Sequence, residues 1–389
     1  MGQFNVNDAG LLSTFQDCGR LNYQAFGVPV SGPMDVYSHQ VANLLLDNVP
    51  EAPVLEMTML GGTFTFDTDT VIAITGAEMQ AVKNQKEALV CWQTHDIKAG
   101  DTIAFSGAIK GCRTYLAVAG GFDLVPQLGA TATNIRSGLG GHAGRALQKG
   151  DVISYGNLEQ KYSGTLDQID VPVHSKLQVK QVPIGAIEQD QAFLKSLLGR
   201  YIVPEAQVIF QNKYVLRVVM GPQDDAFTDE GIRTFLESSY TVTNQSDRMG
   251  YRLTGKPIKH TEGADILSDG IVKGAIQIPG HGEPIIMMAD CQTTGGYPKI
   301  AHVISVDLDK LAQAKSGDHI TFKAIALSEA QALLKEQSER LAQIKEQFSE
   351  VKKKVLLGNE VPNQGRFKQV KQYTIKVCGQ SYHVTVEEK

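Results

Sequence analysis

The densest run of chemically capable side chains is Asp290-Cys291-Gln292-Thr293-Thr294-Gly295-Gly296-Tyr297-Pro298-Lys299. It follows the apolar stretch Pro284-Ile285-Ile286-Met287-Met288-Ala289. A carboxylate at a strand end can accept or abstract a proton, an amide can orient a carbonyl, and paired glycines admit close backbone approach. The array therefore suits a small polar ligand. The same residues also make a hairpin turn in which Asp and Thr bond their own backbone. A second cluster is Ser31-Gly32-Pro33-Met34-Asp35, with Asp17 and Arg20 upstream. A helix starting there offers free N–H groups to an anion, or Ser31 and Asp35 simply cap it. The third is Asn244-Gln245-Ser246-Asp247-Arg248-Met249-Gly250-Tyr251-Arg252-Leu253, where an internal Asp–Arg pair explains part of the charge.

Other chemistries find little support. Walker, His-Glu-x-x-His and Gly-x-Ser-x-Gly motifs are missing, and His142, His260, His281 and His302 lack metal-ligand spacing, so no metal is expected. Gly138-Leu139-Gly140-Gly141-His142-Ala143-Gly144 resembles a dinucleotide fingerprint, but a turn and strand follow it rather than a helix. It reads as a tight loop or as a backbone nest for an anion.

The elements that must position these residues are mostly strands. Many of the 38 glycines separate short alternating or β-branched runs such as Gly62–Asp67, Val71–Thr75, Thr114–Ala119 and Val215–Met220. Lys98-Ala99-Gly100-Asp101 and Lys315-Ser316-Gly317-Asp318 each lead into an alternating strand, and Lys149-Gly150-Asp151 gives a third copy one turn residue shorter. Gly107-Ala108-Ile109 leading to Gly120-Gly121-Phe122 is echoed by Gly274-Ala275-Ile276 leading to Gly295-Gly296-Tyr297. These echoes suggest two β-rich halves of related design.

A helix is predicted over Pro33–Leu46, with Ser31 able to cap and Met34, Tyr37, Val41, Leu44 and Leu45 on one face. Another is predicted around Phe193–Leu198. Leu327, Leu334, Leu341, Phe348 and Val355 recur every seven residues in a Glu/Lys-rich segment, so a long helix with a coiled-coil-like seam is expected. It either lies on its own domain or binds a partner. Tyr373–Val386 alternates like a hairpin turning at Cys378-Gly379-Gln380. The expected organisation is residues 1–156 as a first β half, 157–175 as a polar linker and 176–325 as a second β half. The helix then takes 326–357, and a linker with a short β tail takes 358–389.

A net charge of −5 gives no reason to expect nucleic acid or an anionic membrane surface. Five scattered cysteines without a Cys-x-x-Cys pair suggest neither zinc nor redox chemistry. The opening residues lack the basic and apolar regions of a secretion signal, and no run approaches the roughly 18 apolar residues of a membrane span. A cytoplasmic protein is expected.

The runs Phe26–Asp35, Asp247–Leu253, Gly274–Pro279 and Asp290–Pro298, taken together and in order, resemble the KipA/PxpC family. That family comprises the larger of two paired subunits of bacterial 5-oxoprolinase. It is also similar to one half of the carboxyltransferase domain of urea carboxylase, whose branch diverges in the Gln292–Pro298 run. The resemblance covers residues 4 to 324. It implies a mainly β fold with some α, made of two cyclophilin-like β-barrel subdomains with the long C-terminal helix outside the shared region.

The resemblance also implies work with two further proteins, a smaller KipI/PxpB-like subunit, then a third, lactam-utilisation one, with ATP used by the complex. Under it, Asp290 and Gln292 grip or deprotonate the substrate nitrogen. Thr293, Gly295 and Tyr297 shape the pocket, and Ser31, Asp35, Arg248 and Tyr251 complete it. Two other roles are implied. One is a carboxyltransferase component served by a biotin carrier protein; the other is a non-catalytic antagonist of a kinase inhibitor. The tail resembles the opening strands of a biotin carrier domain, yet the chain has no Met-Lys-Met motif, so any biotin would sit on a partner.

Overall fold

The computed structural model describes residues 1–156, 193–202, 212–356, 371–377 and 380–386, with side chains described up to residue 348. The expected linkers at 157–175 and 358–370 and the turn at Cys378-Gly379 lie outside the described residues. Met1–Phe348 forms one compact body and Ser349–Lys389 a second. The second contains an antiparallel hairpin of Lys371–Val377 and Gln380–Val386, in which Gln380 pairs with Val377. Among the described residues no helix is long and apolar enough to cross a membrane.

The first half of the larger body consists of two sheets. One runs in the order Val152–Tyr155, Gly2–Asp8, Thr63–Phe66, Thr102–Ala104, Val82–Lys83, Glu87–Ala88. The other runs Ser13–Gln16, Val54–Thr58, Lys110–Val118, Thr70–Glu78, Gln93–Ile97. Phe4, Phe15, Phe64, Phe66, Ile72, Ile74, Leu116 and Val118 share the first half's main core. The alternate residues Val71, Ala73, Tyr115 and Ala117 belong to a separate cluster with helix α1, Val36–Leu45. Period-two alternation thus feeds two cores, which is why these strands read as continuous apolar runs.

In the second half, strands Lys213–Met220, Lys299–Val303, Ala275–Gln277, Ile285–Met287, Gly250–Thr254, Tyr240–Val242 and His319–Ala324 close into a barrel. Closure is completed by the parallel pairing of Lys213–Met220 with His319–Ala324. Helices α2, Asp229–Glu237, and α3, Ser305–Ala312, accompany it. The mainly β class and the barrel agree with the expected fold. The expectation of a barrel in both halves needs one refinement. The first half's strands divide between two sheets, and inward-facing alternation is common to both arrangements.

Gly100, Gly150 and Gly317 all take left-handed φ, at 88°, 94° and 91°. In each turn the following Asp carboxylate accepts the N–H three residues earlier, from Lys98, Gln148 and Lys315 at 2.8, 2.8 and 2.9 Å. The third copy therefore lacks nothing; its first residue is Gln148 rather than Lys. The Gly-Gly-aromatic echo is not structural. Gly120 and Gly121 are left-handed while Gly295 and Gly296 are not, and one strand precedes the first pair where two precede the second.

The predicted first helix begins later than expected. Asp35, not Ser31, is its cap, accepting Ser38 N–H at 2.8 Å. Met34 precedes the helix and enters the barrel's core, while Tyr37, Val41 and Leu45 join the cluster on the first half. Residues 193–197 are helical, as expected. Helix α4, Leu327–Leu356, is the predicted long helix. Its Leu341, Ile344 and Phe348 pack on the cluster around α1, whereas Leu327 and Leu334 are exposed. Its Leu341–Phe348 stretch is thus used on its own domain.

Candidate functional site

The site forms where the segment before α1 meets the turn after strand Ile285–Met287. Ser31 has left-handed φ, 61°, and donates its N–H to Ala289 O at 3.0 Å, joining the two halves directly. Its hydroxyl accepts from Asn134 Nδ2 at 3.0 Å. Gly32 follows at φ 86°, and an added Cβ there would lie 3.0 Å from Asp17 O. A side chain would thus be both strained and crowded.

Beside this junction lies a pocket of about 100 Å³ lined by Gln24, Val30, Ser31, Ile271, Val272, Lys273, Ala289, Cys291, Gln292 and Thr293. Lys273 brings the cationic head of this wall. Its Nζ donates to Pro33 O and Met34 O, both at 3.0 Å. Burial lowers the Lys273 pKa from its ordinary value, against the pull of nearby Asp309, Glu56 and Asp35. The lining is mainly apolar, with the Ser31 and Thr293 hydroxyls, the Gln24 and Gln292 amides and Lys273 as its polar groups, an arrangement suited to a small, partly apolar molecule with a few polar atoms.

Behind the pocket is a buried ionic network. Arg248 Nε and Nη2 donate to the two oxygens of Asp290 at 2.8 and 3.1 Å. Its Nη2 also reaches Gly32 O at 2.7 Å, and its Nη1 reaches Glu56 Oε1 at 2.5 Å. Glu56 Oε2 accepts Met34 N–H at 2.9 Å and Tyr115 O–H at 2.8 Å. Burial favours the neutral acid at Glu56, but Arg248 and then Arg113 outweigh it and hold the carboxyl below its usual range. Arg113 Nη1 donates to Tyr251 Oη at 2.7 Å, and that hydroxyl donates to Ala314 O at 3.0 Å.

Of the residues singled out in the sequence, Ser31, Gln292 and Thr293 meet at the pocket. Asp290 and Arg248 form the pair behind it, so both Asp290 oxygens are engaged rather than open to a ligand. Asp35 and Tyr251 are placed elsewhere. Asp35 is buried at the start of α1, bonded to Ser38 and to Gln313 Nε2 at 2.7 Å, and Tyr251 is buried in the seam. Gly295 lies in the short strand Thr294–Gly295, paired with Asp269–Gly270, and a Cβ there would meet Ile271 Cδ1 at 2.4 Å. Tyr297 is exposed, its carbonyl held by Gln277 Nε2 at 3.0 Å.

The comparisons with known proteins bear on this arrangement. The family model described as "Carboxyltransferase domain, subdomain A and B" matches residues 26–324. The chain belongs to the carboxyltransferase-domain family. Its relatives include a 5-oxoprolinase subunit of Escherichia coli, 34% identical over 322 residues that cover 83% of this chain and 91% of that protein. The corresponding 5-oxoprolinase subunit of Haemophilus influenzae is 31% identical over 341 residues, covering 88% and 97%. Among solved structures, the urea carboxylase of Kluyveromyces lactis is 28% identical with a TM-score of 0.73, over 99% of this chain and 32% of that one. The family is the one its motifs implied, and every pocket residue but Gln24 lies within the matched range.

The carboxyltransferase-domain chain also uses residues that motif reading passed over. Glu56 and Arg113 stand in the otherwise uncharged strand segments Val-Leu-Glu-Met-Thr and Cys-Arg-Thr-Tyr-Leu. A charge in such a run needs a buried partner, and that was the available signal. Lys273 carried the same signal, a lone charge between Ile271-Val272 and Gly274-Ala275-Ile276, whereas Gln24 and Gln313 are uncharged and carried none.

Proposed function

We propose that this chain is the pocket-bearing subunit of an ATP-dependent 5-oxoprolinase, opening the lactam of 5-oxo-L-proline to L-glutamate. The observation that carries this reading is its 34% identity to a 5-oxoprolinase subunit over 91% of that protein's length. The enzyme is completed by a KipI/PxpB-like smaller protein and a lactam-utilisation protein. The unstrained lactam resists water, so its amide oxygen is first phosphorylated by ATP. ADP departs, water adds to the activated carbon and the ring C–N bond breaks to free the amine and an acyl phosphate, which a second water hydrolyses to the carboxylate and inorganic phosphate.

In this reading Gln292, Ser31 and Thr293 orient the ring amide, and the Lys273 ammonium faces the anionic side of the ligand. Asp290 works through Arg248 to hold the turn that carries Gln292. A pocket of about 100 Å³ suits the lactam. It is small beside the roughly 300–1,000 Å³ of drug-sized sites, so ATP belongs to a surface completed by a partner. The test is reconstitution with both partner subunits. Glutamate and phosphate released together, dependent on ATP and 5-oxoproline, support the reading; no glutamate from a folded complex refutes it.

The carboxyltransferase description of the matching family favours one alternative, a component that receives a carboxyl group from biotin on another chain. Carboxyl transfer from a biotinylated partner, without glutamate release, would select it.

A further inference from the structure

We propose that Glu56 is a positioning residue that sets both walls of the pocket from behind. The inference deepens the proposed function and, for its kinetic arm, rests on it. Glu56 is 1% exposed and does not line the pocket, so it meets no ligand itself. It touches both walls at one remove. Its Oε2 accepts Met34 N–H, fixing the backbone three residues beyond Ser31. The same oxygen accepts from Tyr115 Oη, which in turn accepts Asp35 N–H at 2.9 Å. Its Oε1 accepts Arg248 Nη1, and Arg248 holds Gly32 O on the first wall and Asp290 on the second. Arg113 Nε stands 3.8 Å away as a second cation.

The charge is essential to this role. A neutral amide at position 56 is an N–H donor on one side, where both oxygens now accept, and it leaves Arg248 with Asp290 as its only contacting carboxylate in a buried setting. The Arg248 head then loses a direction-setting contact, and the Asp290–Thr293 turn loses one of its references to the first half, keeping the Ser31–Ala289 and Arg248–Gly32 bonds. Displacements on the order of 1 Å at a substrate-orienting group cost about a hundredfold in rate.

The test uses Glu56→Gln in the full chain and two readouts. Amide hydrogen exchange is read independently of any activity. Faster exchange confined to Ser31, Met34, Asp35, Asp290 and Cys291, with barrel-strand amides unchanged, supports the proposal. Wild-type exchange at those amides, or an equal increase throughout, overturns it. In the reconstituted enzyme, KM for 5-oxoproline should rise about tenfold or more while KM for ATP is unchanged. Unchanged kinetics beside an active wild type overturn the positioning role and leave the oxoprolinase reading intact. An inactive wild type refutes the oxoprolinase reading while the exchange result still judges Glu56. Should Glu56→Gln fail to fold, Glu56→Asp, which keeps the charge but shortens its reach, is read by the same exchange criterion.

Discussion

Four N–H groups of Arg248 meet oxygen, two on Asp290, one on Glu56 and one on Gly32. Removing one member of such a buried set leaves the others charged and unpaired. Arg248→Ala is therefore expected to lower stability by roughly 3–5 kcal/mol in urea unfolding. A loss below ~1 kcal/mol, the range of exposed pairs, would contradict the network as drawn. Asp309 presents the opposite electrostatic case. Burial and then the charge of Asp35 push it up to about 7 from 3.8, against the pull of Lys273, the Gln337 bond and the Val36 N–H. A carboxyl raised in the folded state contributes stability below the unfolded value that is lost as pH rises through about 7. Asp309→Asn should thus gain stability relative to the parent between pH 4 and pH 8, measured by denaturant midpoints; a pH-independent difference would contradict this. At this scale the sequence pointed to Ser31, Gln292 and Thr293 in separate clusters, and the structure brings them to one pocket. It did not show Glu56 beside Arg248, because the pair spans 192 residues of chain and no local pattern encodes it.

Turns and caps were the most legible elements, since their chemistry is local. The Gly-Asp turns recur because a left-handed glycine and a carboxylate bonding back three residues are a self-contained solution. Around Gly317 there is open space for a Cβ, so the cost of Gly317→Ala is conformational alone, about 1 kcal/mol by thermal or chemical unfolding. A cost near zero would mean that the turn relaxes. Helix α4 was legible as a heptad helix, but its period did not say what the seam would meet. The structure answers for Leu341, Ile344 and Phe348, which pack near α1, with the Arg200 guanidinium 5.1 Å from the Phe348 ring centre. Phe348→Ala is expected to cost about 2 kcal/mol, less than a fully buried Phe because the ring is partly exposed. A neutral outcome in urea unfolding would detach the helix from the domain's stability.

For the molecule as a whole, alternation and turn spacing revealed two β-rich halves. They did not distinguish a closed barrel from two packed sheets, because both bury one face of every strand. Between the halves runs a buried seam with a small pocket at its edge. Met34 enters the barrel core, Ser31 donates to Ala289 O, and Glu56 from one half holds Arg248 of the other. A rigid seam of this kind presents a preformed site. The most direct measurement is a crystal structure of the assembled complex soaked with 5-oxoproline. Ligand density is predicted against Ser31, Lys273, Gln292 and Thr293, with the Arg248–Asp290 pair intact. Density for the lactam elsewhere, with this pocket holding only solvent, would contradict the proposed site.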